Sequence, residues 1–309
     1  MTKILLPPFL KPGDKIGIVA PASVIKHEDV IPGIELFKNV WGLEVVEGAT
    51  LKSSFHQFAA TDEARLADLQ AMLDDPSINA VIAARGGYGC SRIVDQLNFD
   101  KFLESPKWVI GFSDLTVILC QIYKLGYASL HAPMAKSITT GGSEDAAESL
   151  RQMLFGESPV YSFANHPLNR AGEVAAELVG GNLCLLAHLI GSETEIDTDG
   201  KILFIEDINE YLYNLDRMMI QLKRAGKLSN LAGLIVGQFT DMKDNKHPTF
   251  GKDSNEIILE HIEEYNYPVC FDFPVGHVSD NRAMGIGLTA SLNIGAEIVE
   301  FSFLSAVPA

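Results

Sequence analysis

Residues 107–126, KWVIGFSDLTVILCQIYKLG, put a serine where it could react. Trp108-Val109-Ile110 is an apolar run of the kind that forms a buried parallel strand. Gly111 ends it, and Ser113 follows two residues later. Asp114 and Thr116 then open an apolar helix that runs to Gly126. A serine on a sharp strand-to-helix turn has its hydroxyl displayed above the sheet. The amide of the next residue points into the same space and can stabilise an oxyanion. The chemistry such a turn carries is nucleophilic acyl transfer. The turn reads Gly111-Phe112-Ser113-Asp114-Leu115, so the second glycine of G-x-S-x-G is missing.

A serine needs a histidine base, and the histidine needs a carboxylate to fix its tautomer. The histidines are His27, His56, His131, His166, His188, His247, His261 and His277. His27, His166, His247 and His261 fall in polar segments or on exposed helical faces, where a surface role is the default. His188 lies in an apolar helix and reads as a core residue. His131 (Leu130-His131-Ala132-Pro133) and His277 (Pro274-Val275-Gly276-His277) come at strand ends beside small residues, where open α/β sheets display functional groups. These residues alone do not choose between the two. Glu206 follows Ile202-Leu203-Phe204-Ile205 and so sits where an apolar strand emerges. A solvated charge at a strand end is the plain alternative for it. Strand alternation aims Asp207 the other way. Asp114 is a further carboxylate, but its amide is better placed than its side chain.

Arg85-Gly86-Gly87-Tyr88-Gly89 also follows a strand. Glycines there let backbone approach a ligand closely. The spacing fits neither G-x-G-x-x-G nor G-x-x-x-x-G-K-[ST], so a phosphate loop is not supported. The alternatives are a second oxyanion donor, with Arg85 available for a carboxylate, or an ordinary tight turn. There is no H-E-x-x-H, and His261 with Glu263 and Glu264 does not share one helical face, so no metal is expected.

The elements that must position these residues alternate. Strands are expected at 16–20, 43–46, 80–84 and 108–110, with helices at 28–41, from Thr61 to Pro76, and at 90–97. Thr61 with Asp62 and Glu63 is an N-cap followed by acidic residues that suit the helix dipole. This order predicts an α/β chain whose N-terminal domain has a parallel sheet covered on both faces. Pro and Gly punctuation over 156–172, GESPVYSFANHPLNRAG, marks a linker between domains at 1–155 and 173–309. In the second half, strands are expected at 201–205, 231–236 and 269–273, helices at 183–190, 213–225 and 256–265, and short β-like runs over 286–303.

The chain has 309 residues, 47% hydrophobic and 21% charged, the composition of an ordinary globular protein. A net charge of −16 repels nucleic acid and anionic lipid, so neither is expected as a partner, and an anionic substrate needs a local cation. Cys90, Cys120, Cys184 and Cys270 form no C-x-x-C pair and read as buried reduced thiols. No apolar run approaches a membrane span. Lys3 and Ile4-Leu5-Leu6 are cut short by Pro7-Pro8, which is no signal peptide. These features together lead us to expect the cytoplasm.

Several stretches taken as a set resemble the LD-carboxypeptidases, serine peptidases that include the microcin-immunity peptidases as a branch. They are GDKIGIVAPAS (13–23), ARGGYGCSRI (84–93), GFSDLT (111–116), HAPM (131–134), GGNL (180–183), ILFIEDINEYLYNLDRMMIQLKRAG (202–226), LAGLIVGQF (231–239) and FPVGHVSDN (273–281). The resemblance implies a Rossmann-like N-terminal domain, a smaller β-rich α+β C-terminal domain, a triad of Ser113, Glu206 and His277 formed across the two, and a homodimer. It implies oxyanion donors at the Asp114 amide and at a glycine of the 86–87 pair, with Gly87 favoured over Gly86. It implies no cofactor, and a substrate in the peptidoglycan tetrapeptides, cut between an L-centre and terminal D-alanine during murein recycling. The missing second glycine departs from the α/β-hydrolase signature but not from this family's pattern. Glu206-Asp207-Ile208-Asn209-Glu210 with Tyr213, Asp216 and Arg217 resembles the carboxypeptidase branch. The other readings are a microcin-immunity-type peptidase acting on peptidyl-nucleotide conjugates, a catalytically silent peptide-binding module and a nucleotide-binding Rossmann protein.

Overall fold

The computed structural model describes residues 4–304; Lys3 and the ends of the two expected domains, 1–3 and 305–309, lie outside the described residues. The chain divides into two compact units. The first holds the residues up to Glu157 together with Ser279–Ile286. The second holds Ser158–Val278 and the described residues from Gly287 to Leu304.

In the first unit β1 (Lys15–Val19), β2 (Glu44–Glu47), β3 (Ile78–Ala83), β4 (Trp108–Gly111) and β5 (Ser129–His131) pair in parallel, in spatial order 2-1-3-4-5. β3 and β4 are buried almost end to end, as expected of central parallel strands covered on both faces. The helices are α1 (Ile31–Glu35), α2 (Asp62–Asp74), α3 (Asp100–Glu104), α4 (Thr116–Lys124) and α5 (Glu144–Leu154). Thr61 caps α2 by accepting the Ala64 N–H at 3.3 Å, with Asp62 and Glu63 in the first turn. The strand order reverses at β1, so the loops leaving β1 and β3 flank the switch point where such sheets hold ligands. The helix expected at 90–97 is instead two short 3₁₀ turns, Cys90–Arg92 and Val94–Gln96. Gly89, at φ 149°, gives this stretch no helical start.

The second unit has β6 (Val160–Ala164), β7 (Gly172–Asn182), β8 (Ile202–Ile208), β9 (Gly233–Thr240) and β10 (Val269–Cys270), with α6 (Leu183–Leu189), α7 (Leu212–Arg224) and α8 (Ser254–Ile262). β6 lies inside the stretch expected as linker. Next in the chain, β11 (Met284–Ile286) belongs to the first unit and pairs antiparallel with β5. β12 (Thr289–Ile294) and β13 (Ile298–Phe303) then complete the second sheet, in order β10-β9-β8-β7-β12-β13-β6. Its β7 to β10 half is parallel and the rest antiparallel. β7 serves both halves: 172–177 pair with β12, and Leu178 to Asn182 pair with β8. The aromatic residues Tyr161, Phe163, Phe273, Phe301 and Phe303 form a contiguous cluster in this unit.

Candidate active site

The first unit brings Ser113, Asp114, Arg85, Gly86 and Gly87 together at the carboxyl ends of β3 and β4. Phe112 is still extended, and Ser113 then turns to φ 63° before a 3₁₀ turn leads into α4. A non-glycine residue in the left-handed region costs about 1–3 kcal/mol, so the surrounding structure must hold it there. Gly111 allows the turn to be this tight: a Cβ on it would lie 2.7 Å from Leu115 Cγ. Gly86 approaches from the neighbouring loop, and a Cβ there would lie 2.9 Å from Ser113 Cβ and 3.1 Å from its Oγ. Gly87 is exposed, at φ 108°, and its amide makes no hydrogen bond among the described residues. Arg85 is half-buried and donates from Nη1 to the Val24 carbonyl at 3.1 Å.

The Asp114 carboxylate is buried and accepts the Cys90 N–H at 2.7 Å. Burial raises its pKa above the ordinary carboxylate value, against the opposing pull of that hydrogen bond. Cys90 is fully buried and its thiol is pushed well up by the loss of solvent, which leaves it inert as a nucleophile near neutral pH. His131 is fully buried on β5, its ring 5.6 Å from that of Phe112, opposite Met284 in register.

The second unit brings Glu206 and His277 together. His277 Nδ1 lies 2.7 Å from Glu206 Oε2; the Glu206 side chain is 0% exposed and that of His277 16%. The alternative of a solvated charge at 206 is therefore set aside. Between Ile205 and Asp207 the register of β8 on β9 slips, so that Gly237 and Gln238 face the single residue Glu206. Such a bulge re-aims a side chain. A Cβ on Gly237 would lie 2.5 Å from the Val275 carbonyl, and one on Gly276 (φ 125°) would lie 2.9 Å from Glu206 Cβ. These glycines let the segment carrying His277 close onto β8. Burial alone would push the His277 imidazole down. The Glu206 hydrogen bond, with the charges of Glu206 and Asp207, outweighs it and holds the pKa above 6.5.

Asp207 points away from that pair, as strand alternation requires. Its carboxylate accepts from Asn182 Nδ2 and the Cys184 amide, each at 2.9 Å, and from the Ile208 amide at 2.8 Å. Burial, with the neighbouring charge of Glu206, still raises its pKa to about 7. Asn182 in turn caps α6 through the Leu185 amide at 3.2 Å. The residues that sequence reasoning passed over are thus Asn182 and Gly237, and only the glycine announced a close approach. His188, expected in the core, is exposed. Cys184 is half-buried rather than buried. Among the described residues no cluster of His, Cys, Asp or Glu could hold a metal ion, and no helix is long and apolar enough to cross a membrane.

Comparison with known proteins gives the family. Residues 16–132 match the LD-carboxypeptidase N-terminal domain and residues 175–292 the LD-carboxypeptidase C-terminal domain. The chain is 36% identical over 294 residues to a probable murein peptide carboxypeptidase of Bacillus subtilis, covering 93% of this chain and 91% of that one. Among solved structures it is similar to the muramoyltetrapeptide carboxypeptidase of Oxalobacter formigenes, with a TM-score of 0.85, 30% identity, and 96% and 100% of the two chains covered. The microcin C7 self-immunity protein MccF shares the fold at a TM-score of 0.86 but only 19% identity, with 98% and 99% of the two chains covered.

Proposed function

Since the chain belongs to the LD-carboxypeptidase family and is a serine carboxypeptidase, we propose that it removes the terminal D-alanine from murein tetrapeptides through a Ser113, His277 and Glu206 triad. The observation that carries this reading is Ser113, held at φ 63° at the carboxyl end of β4 with Gly86 pressed against it. A turn held against its own backbone preference is explained by a need to present the hydroxyl.

In this mechanism His277 takes the Ser113 proton as Oγ attacks the scissile carbonyl. Glu206 keeps the His277 proton on Nδ1, which leaves Nε2 free of a proton to act as the base, and it stabilises the imidazolium that forms. The Gly87 and Asp114 amides receive the oxyanion. His277 returns the proton to the leaving nitrogen, the C–N bond breaks, and D-alanine departs. Water activated by the same histidine then hydrolyses the acyl-enzyme. Arg85 meets the substrate's terminal carboxylate, the local cation that a chain of net charge −16 needs for an anionic ligand. The same reading makes the protein a cytoplasmic homodimer in murein recycling, with no cofactor and with neither nucleic acid nor membrane as partner.

The test is incubation with L-Ala-γ-D-Glu-meso-diaminopimelate-D-Ala. Wild-type protein releases D-alanine, and Ser113→Ala lowers kcat by at least ~10³, or ~4 kcal/mol of barrier. Near-normal turnover by Ser113→Ala removes the nucleophile assignment. Cleavage of a peptidyl-sulfamoyl nucleotide in place of the tetrapeptide transfers the chain to the microcin-immunity reading.

A further inference from the structure

Arg65, in the first turn of α2, is fully buried, although arginine is almost never so unless paired. Its Nη2 is paired with Asp62, and its Nη1 donates to two backbone carbonyls, those of Pro21 and of Gly89, the latter at 3.0 Å. Its guanidinium carbon lies 4.9 Å from the Phe58 ring centroid. Gly89, at φ 149°, makes room for it: a Cβ there would lie 2.6 Å from Nη1.

The Gly89 carbonyl and the Cys90 N–H belong to one peptide group. Arg65 holds the oxygen of that group, and the Asp114 carboxylate holds its N–H at 2.7 Å. One peptide plane is thus gripped from its two sides by a cation and an anion, and charge-assisted hydrogen bonds are roughly twice as strong as neutral ones. The anion belongs to the residue that directly follows Ser113. The rest of the loop is tied to the β1 loop, where Ser23 Oγ accepts the Tyr88 N–H at 3.1 Å and the Gly86 carbonyl accepts the Ser23 N–H at 3.3 Å.

We infer that Arg65 and the Asp114 carboxylate are positioning residues that fix the 86–90 loop in register with the Ser113 turn, so that the Gly87 amide sits where the oxyanion forms. This inference rests on the reading of Ser113 as nucleophile given above. Arg65 touches no reacting atom and acts through the 89–90 peptide. Lysine cannot replace it, because a single ammonium on a flexible stem does not reproduce the planar fork that spans two carbonyls.

The experiment compares wild type, Ser113→Ala, Arg65→Lys and Asp114→Asn. It measures kcat and KM for D-alanine release and the rate of labelling by a fluorophosphonate. Arg65→Lys and Asp114→Asn are expected to lower kcat and the labelling rate roughly 10- to 100-fold, with KM within ~2-fold, since one misplaced oxyanion donor costs up to ~10²–10³. In Arg65→Ala, added methylguanidinium should restore part of the lost kcat. Wild-type kcat and labelling in the folded Arg65→Lys and Asp114→Asn variants overturn the inference and leave the nucleophile reading standing. Absence of Ser113-dependent labelling in the wild type removes both. Should the variants not fold, hydrogen exchange on the wild type decides: the Cys90 amide is expected to be protected, and rapid exchange there refutes the grip.

Discussion

Replacing Gly86 by alanine puts a methyl group against the nucleophile. The new Cβ would stand 2.9 Å from Ser113 Cβ, 3.1 Å from Oγ and 3.4 Å from the Asp114 nitrogen. Carbon atoms are comfortable at about 3.5–4.0 Å, so one side must yield by roughly 0.6–1 Å. Gly86 is not among the glycines at positive φ, so alanine suffers no backbone penalty there and the effect is purely steric. Ser113 has little freedom to give way, because it already sits at φ 63° between a buried strand and a buried helix. A displacement of ~1 Å at a reacting atom costs ~10² in rate, or about 2.7 kcal/mol of barrier. Overpacking adds a stability cost of about 1–3 kcal/mol. The assay is D-alanine release from the tetrapeptide, with the melting temperature measured alongside. Gly141→Ala is the control, because nothing lies within 4 Å of a Cβ there. The expected result is a folded Gly86→Ala protein with kcat down ~100-fold and KM little changed. A kcat within ~3-fold of wild type would show that Ser113 is not the reacting group or that its turn is not rigid.

Glu206→Gln keeps the shape of the His277 pair but frees the wrong tautomer and should lower kcat by ~10⁴. His131→Ala should lower the melting temperature by emptying a buried site and leave kcat of the folded enzyme within a few-fold; the reverse pattern would make His131 the base. Because His277 must be neutral to accept a proton and its pKa is held above 6.5, kcat/KM should fall as pH drops through a value above 6.5. A limb below pH 6 contradicts that assignment. Asp207 binds its proton more tightly folded (pKa about 7) than unfolded (ordinary value 3.8), so the native state loses stability as pH rises from ~4 to ~7. A rise from the ordinary value to about 7 corresponds to roughly 4 kcal/mol over that window, and Asp207→Asn should remove the slope in urea titrations.

The parallel sheet of the first unit was legible because its central strands β3 and β4 are apolar runs and α2 carries its own Thr61 cap, both local properties. The Ser113 turn was legible for the same reason. The proposed partners of Ser113 were not. His131 and His277 have equivalent neighbours in the chain, and what separates them is depth. His131 is covered on β5, where Met284 pairs with it from 153 positions away (284 − 131). The burial of Glu206 depends on a bulge shared with β9 and on Gly276, contacts that no window around residue 206 contains. Arg65 was invisible: an arginine after Asp62 and Glu63 in a capped first turn reads as a solvated helical charge. Only Gly89, which the guanidinium requires, hinted at a close approach. The 90–97 helix failed because Gly89, at φ 149°, breaks the backbone where it would start, and the stretch closes into two 3₁₀ turns instead.

The return of Ser279–Ile286 to the first unit sets a timetable for synthesis. The five parallel strands and the serine turn leave the ribosome first. The whole stretch Ser158–Val278 must then be made before β11 can dock, a wait on the order of ten seconds at ordinary elongation rates. During that interval β5 is an open sheet edge, the kind of surface to which stray strands add. A nascent chain halted between 157 and 284 therefore already holds the sequence of the Ser113 turn while it lacks the strand that closes the edge at β5. Shielding that edge is then a task for the second half of translation, and slowing the ribosome across it should raise aggregation more than the same delay placed after residue 286.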